Sequence, residues 1–182
     1  MSMPRTALEK LVPVYAQGFF TLSPTGIYQV VIYEYIDREK YYHKIVEDDE
    51  LYTDEIERLR TIIEDELAKE LIKINEERAE TIINGISIAF HESPEHVSLI
   101  FFVFIKGVIK NGINIYEDYY ESTKAEYDYD AYWFLPPSWR ILEVVASGRY
   151  DVYGPTNNML IISARRGDDI SGYEKIVFEA VL

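Results

Sequence analysis

The run from Val97 to Ile105, VSLIFFVFI, is apolar on both parities, with Ser98 as its one polar residue. Aromatic and β-branched residues in such a run suit a strand, and a strand that is apolar on both sides must be covered on both faces. It is expected at the centre of a sheet. Upstream, Ile86, Ile88 and Phe90 alternate with Ser87, Ala89 and His91, and Glu92-Ser93-Pro94-Glu95 makes a turn between the two segments. The two segments pair as neighbours.

Other segments repeat the strand pattern. Gly18 to Leu22 and Ile27 to Tyr35 flank Ser23-Pro24-Thr25-Gly26 and predict a first hairpin, with Tyr41 to Val46 as a further strand. Toward the C-terminus, strands are expected over Trp139–Ala146, Arg149–Tyr153, Met159–Ala164 and Lys175–Val181, separated by glycine- and proline-containing turns. Between the two strand groups, Ile56, Leu59, Ile63, Leu67, Leu71 and Ile74 recur at steps of three or four, after Thr53 as a cap and Asp54 and Glu55 in the first turn. That spacing predicts one long amphipathic helix near residues 53–74 laid on a sheet. The fold class is α+β, with a mainly antiparallel sheet of about eight or more strands. With no linker or repeat in 182 residues, one domain over 1–182 is expected.

Asn111-Gly112 is a strong type I′ signal, and a two-residue loop there pairs Val108 with Ile115, Lys106 with Glu117 and Phe104 with Tyr119. Downstream lies a belt, YEDYYESTKAEYDYDAYW, from Tyr116 to Trp133, which carries six tyrosines, a tryptophan and six carboxylates against one lysine. A second turn around Ser122-Thr123 pairs Asp118 with Tyr127, Glu117 with Asp128 and Tyr116 with Tyr129. This register sorts the belt into two faces. Tyr116, Tyr127 and Tyr129 join an aromatic core face, while Glu117, Glu126, Asp128 and Asp130 gather around Lys106 as an acidic face. Asp118 falls on the aromatic side, where its carboxylate must find a donor, a tyrosine hydroxyl being the nearest kind, or take up a proton.

The formal charge of −14 and isoelectric point near 4.6 argue against nucleic acid, whose phosphates need clustered Lys and Arg. No cysteine is present, which excludes disulfides and thiolate chemistry. No long apolar segment stands in the chain, so no membrane span and a cytoplasmic location are expected. Abundant Glu, Ile, Lys and Tyr with only two Gln suit a thermophilic source.

No phosphate-binding glycine loop, nucleophile elbow or EF-hand run occurs. His91 and His96 flank a turn and are five apart, off the helical spacing of zinc proteases, although across a hairpin tip they face each other as a possible metal clip. Arg166-Gly167-Asp168 reads as a loop. No cofactor is called for. Three functions remain open: an interaction or assembly module whose acidic, tyrosine-rich sheet meets a basic protein or another copy; a small-molecule or lipid binder with a pocket lined by Asp118, Tyr116, Tyr127 and Tyr129; and a divalent-metal enzyme using Glu117, Asp128 and either Asp130 or His91.

Overall fold

The computed structural model describes residues 11–182. In chain order the elements are β1 (Val12–Ser23), β2 (Gly26–Ile36), α1 (Tyr41–Ile45), α2 (Asp49–Leu67), β3 (Leu71–Ile74), β4 (Glu77–Arg78), β5 (Glu80–Phe90) and β6 (His96–Lys106). There follow β7 (Gly112–Tyr119), β8 (Thr123–Lys124), β9 (Asp128–Phe134), β10 (Arg140–Val145), β11 (Arg149–Tyr153), β12 (Met159–Ala164), β13 (Asp169–Ile170) and β14 (Tyr173–Ala180). The described residues are mostly β-sheet, with one long helix and one short one.

A seven-stranded sheet runs β11-β12-β9-β1-β2-β6-β5, and a five-stranded sheet runs β10-β14-β7-β3-β4. Every pairing in them is antiparallel except β1 with β9. The β1–β2 hairpin closes with Ser23 opposite Gly26, as the Ser-Pro-Thr-Gly turn predicts, and Ser23 Oγ donates to the Gly26 carbonyl at 2.9 Å. One buried cluster joins both sheets and α2, with Phe101, Trp133, Tyr116, Ile176 and Leu59 among its members. The core lies between the sheets, and α2 closes it beside β5.

Several expectations are corrected. Tyr41 to Val46 is helical over Tyr41–Ile45, because the buried Tyr42 donates its backbone N–H to Asp37 (2.9 Å) and its hydroxyl to Glu55 (2.8 Å). Helix α2 starts earlier than expected, with the Asp48 carboxylate accepting from Glu50 and Leu51 N–H, and it ends at Leu67. Leu71 and Ile74 continue the helical spacing but lie in a strand, since the edge of β7 offers them a ladder that a further helical turn would leave open.

Asn111-Gly112 does not make a hairpin. Strand β6 pairs with β2 and β5 in the large sheet, whereas β7 pairs with β14 and β3 in the small one. The 107–111 link crosses between sheets, tied by Gly107 and Ile109 N–H to the Thr25 and Pro24 carbonyls. Strand β6 is interior as expected, but it is not covered on both faces. Leu99, Phe101, Val103 and Ile105 are buried, while Phe102 on the opposite face is 41% exposed.

Candidate functional site

At one end of the sandwich, the last turn of α2 and the segment from Tyr120 to Tyr129 enclose a cleft of about 400 Å³. Tyr120, Tyr127, Tyr129 and Ile170 supply its apolar walls, and Glu66, Glu70, Glu121 and Glu126 supply carboxylates. Lys69 and Lys124 also line it, but each is already paired, to Glu66 and Asp169 respectively. The cleft is therefore aromatic and net acidic. Tyr127 is fixed edge-on against the buried Tyr33, with ring centroids 6.3 Å apart.

Behind this cleft the interior turns polar. Asp118 follows Tyr116 by two residues on β7, and its cross-strand partners are Glu174 on β14 and Ile72 on β3. The Tyr116 hydroxyl donates to Asp118 Oδ2 at 3.4 Å, and Oδ1 has no hydrogen-bond partner among the described residues. Burial pushes the Asp118 carboxyl up to about 6, against the pull of the Tyr116 bond. Glu174 is pushed up to about 8 by burial and by the charge of Asp118. Glu70 also rises to about 8, from burial, from Asp118 and from Glu66. These three carboxyls thus form one electrostatic group that reaches the cleft wall through Glu70. Burial also raises Tyr127 and Tyr129 to about 12, so both stay neutral hydroxyls.

The sequence candidates are distributed otherwise than the predicted register had them. Glu117 lies across from Lys73 and Lys175, where it accepts from the Tyr119 and Tyr173 hydroxyls, each at 2.9 Å. Lys106 lies across from Gly26 and Glu80 and pairs with Glu80 at 3.2 Å. Asp128 and Asp130 belong to β9 in the other sheet. Asp128 accepts from Arg166 N–H at 2.9 Å, and Asp130 accepts from the Tyr15 hydroxyl. Glu126 is exposed at the cleft rim. The five residues read as one acidic face are split between two sheets and the cleft, because the strand pairings that would have gathered them do not form.

The aromatic candidates separate as well. Tyr127 and Tyr129 line the cleft, while Tyr116 is 3% exposed and packs edge-on against Trp133. His91 and His96 face each other across the turn, joined by a backbone hydrogen bond of 3.0 Å, and His91 lies 3.8 Å from Glu34. No group of three metal-ligating side chains converges among the described residues, and Glu117 stands apart from Asp128.

Sequence reasoning missed Glu70 and Glu174. Glu174 did carry a signal, since it shares parity with Ile176, Phe178 and Ala180 on the last strand, all buried. Glu70 carried none. It sits between a helix and a strand that the apolar spacing ran together.

No family model matches the sequence, and no curated protein matches it. Among solved structures, the chain is similar to native leukotriene A4 hydrolase from Saccharomyces cerevisiae, with 11% identity and a TM-score of 0.40 over 93% of this chain and 29% of that one. A second structure of the native yeast enzyme matches at 10% identity and a TM-score of 0.37, covering 94% of this chain and 29% of that one. Its bestatin complex matches at 10% identity and a TM-score of 0.36, covering 96% and 29%. The chain spans less than a third of the length of these proteins. No helix among the described residues is long and apolar enough to cross a membrane.

Proposed function

We propose that this chain is a non-catalytic binding protein for a small organic cation, held in the cleft between the end of α2 and the Tyr120–Tyr129 segment. One observation carries the reading: tyrosine rings and carboxylates line the same cleft of about 400 Å³, and its two lysines are already paired. That volume suits a ligand of metabolite size. Aromatic faces attract cations through their ring quadrupole, and an ammonium group adds a direct ion pair with Glu70 or Glu126. A carboxylate or phosphate ligand would meet repulsion from Glu66, Glu121 and Glu126.

In this reading α2 serves as an amphipathic wall. Its apolar stripe at Leu59, Ile62 and Ile63 packs on the core, and its last turn presents Glu66 to the cleft. Asp118, one of the residues first expected to line a pocket, acts from behind by polarising Glu70. Tyr127 and Tyr129 make the direct contacts.

Titration calorimetry with spermidine, choline and arginine amide tests the proposal, with glutamate as the anionic control. Saturable binding of at least one cation is expected, weakened tenfold or more by Tyr127→Ala or Tyr129→Ala, which equals about 1.4 kcal/mol or more. Heats that are absent for every cation, or binding that survives both substitutions, would overturn it.

A further inference from the structure

The seven-stranded sheet carries apolar rows on both faces, and among the described residues only one face is covered. Its inner side meets the small sheet and α2. On its outer side the strand registers bring Ile161, Tyr132, Phe19, Val30 and Phe102 into one continuous row across five strands. The next row runs Phe134, Thr21, Tyr28 and Phe104, with Ile82 at the β5 edge. Parity separates the two sides sharply. Ile27 is fully buried beside Tyr28 at 52% exposure, and Phe101 is 1% exposed beside Phe102 at 41%.

An antiparallel sheet with one solvated face normally alternates apolar and polar residues, which leaves polar side chains outside. Here the middle outward positions hold paired rings, with Thr21 among them and Gln17, Asp130 and Ser163 in the adjoining row. Phe19 stacks on Tyr132 at 5.1 Å between centroids with planes 11° apart, and Tyr28 lies 4.8 Å from Phe104. These pairs spread aromatic surface over β9, β1, β2 and β6. No element among the described residues packs over it.

We propose that this face is a homodimer interface, in which a second copy packs its seven-stranded sheet face to face with the first about a two-fold axis. Area and charge both point to another copy. Five strands about 4.8 Å apart, with side chains about 6.8 Å apart in these two rows and in the adjoining, more polar row of Ser163, Asp130, Gln17, Ile32 and Ile100, span roughly 500 Å² in projection. Two copies would then bury at least about 1,000 Å², the level at which specific interfaces begin. A chain of net charge −14 repels its own copies over most of its surface, yet these two rows contain no charged residue.

Charge also orients the pair. Asp128, Asp130 and Glu34 stand at one end of the outer face, and Lys106 stands at the other, its charge balanced by Glu80 at 3.2 Å, so that end is neutral. An axis perpendicular to the strands lays the acidic end of each copy over the Lys106 end of its mate. An axis along the strands would bring the acidic ends together. A self-complementary patch read by a two-fold axis is the commonest basis of soluble oligomers.

Sedimentation of the full chain tests the proposal against Phe102→Lys and Tyr28→Glu, both at exposed positions, with circular dichroism confirming that each variant stays folded. The expected result is a dimer for the wild type and monomers for the variants. Because the chain has no cysteine, Val30→Cys adds a single thiol near the centre of the face. It should form an intermolecular disulfide on mild oxidation, whereas Lys124→Cys beside the cleft should not. A monomeric wild type at about 100 μM, well above ordinary dimer dissociation constants, would overturn the proposal, as would a dimer that survives both substitutions. A wild type that is monomeric alone yet binds a different protein through this face would also exclude the second copy.

Discussion

Tyr116 and Asp118 sit two residues apart on one strand and face the same interior, where the tyrosine hydroxyl donates to the carboxylate at 3.4 Å. That one long bond does not offset burial. Asp118 at about 6, and Glu70 and Glu174 at about 8, all hold protons more tightly in the folded chain than in the unfolded one. Between the unfolded and folded values the native state binds more protons, so stability falls as pH rises. Urea denaturation is expected to show the highest stability near pH 4 to 5, a loss through pH 6 as Asp118 ionises, and a further loss through pH 8. Asp118→Asn should gain about 3 kcal/mol near pH 8 and almost nothing near pH 4. Glu174→Gln should flatten the upper part of the profile. A stability that is level or rising across this range contradicts the assignment.

Asn114 is fully buried and holds the link between the two sheets. Its Oδ1 accepts from Lys110 N–H at 2.8 Å and from Asn75 Nδ2 at 2.8 Å, while its Nδ2 donates to the Lys110 and Gly112 carbonyls. Alanine there strands several buried polar groups, each costing about 1–3 kcal/mol when left unpaired. Asn114→Ala is expected to cost about 3 kcal/mol in urea melts, against under about 0.5 kcal/mol for the exposed Asn111→Ala. Equal effects at the two positions would show that the link is held in some other way.

That contrast explains what could be read from the chain itself. The Ser-Pro-Thr-Gly hairpin was legible because its two strands are local and the turn leaves no choice of partner. Asn111-Gly112 was not, although Gly112 does adopt a positive φ of 96°. A turn residue specifies a backbone angle, but the sheet a strand joins is decided by distant burial, here by β14 and β3 meeting β7. Asp118 was placed among aromatics through a register that does not form, but the parity it shares with Tyr116 on β7 survives the change of partner. Its neighbours were not recognised, because Glu70 and Glu174 reach it only through the β3–β7–β14 ladder. The acidic face failed for the same reason, as it required β7 to pair with both β6 and β9, and neither pairing occurs.

Glu55 joins the two helices from beneath. It is 4% exposed, accepts from the buried Tyr42 hydroxyl at 2.8 Å, and accepts from Arg58 Nε at 2.7 Å. Removing one member of a buried charged pair leaves the rest unsatisfied, at about 3–5 kcal/mol. Arg58 keeps partial access to water, so Glu55→Ala is expected at the lower end, about 3 kcal/mol. Tyr42→Phe should cost only about 1 kcal/mol, because Glu55 retains Arg58. Thermal melts of both variants check the order, and a greater loss for Tyr42→Phe would reverse the argument.

Ligand binding in the cleft should depend on pH through Glu70. Its carboxyl lies up to about 8 because burial, the Asp118 charge and the Glu66 charge all disfavour ionisation, so near neutral pH it is mostly protonated. A bound cation supplies the opposite charge that the site lacks and favours the ionised form. Binding must then release a proton, and affinity should rise between about pH 6 and pH 8, by up to tenfold per unit, before levelling. Tyr127 and Tyr129, at about 12, do not titrate in this range. Asp118 ionises nearer pH 6 and acts against the trend by holding Glu70 protonated, which makes the rise shallower at its start. Calorimetry in buffers of different ionisation enthalpy measures the released proton directly. Glu70→Gln should abolish the release while leaving weaker, pH-independent binding on the tyrosines. A wild type that binds the cation without proton release would exclude Glu70 as the responsive group while leaving the cleft as the site.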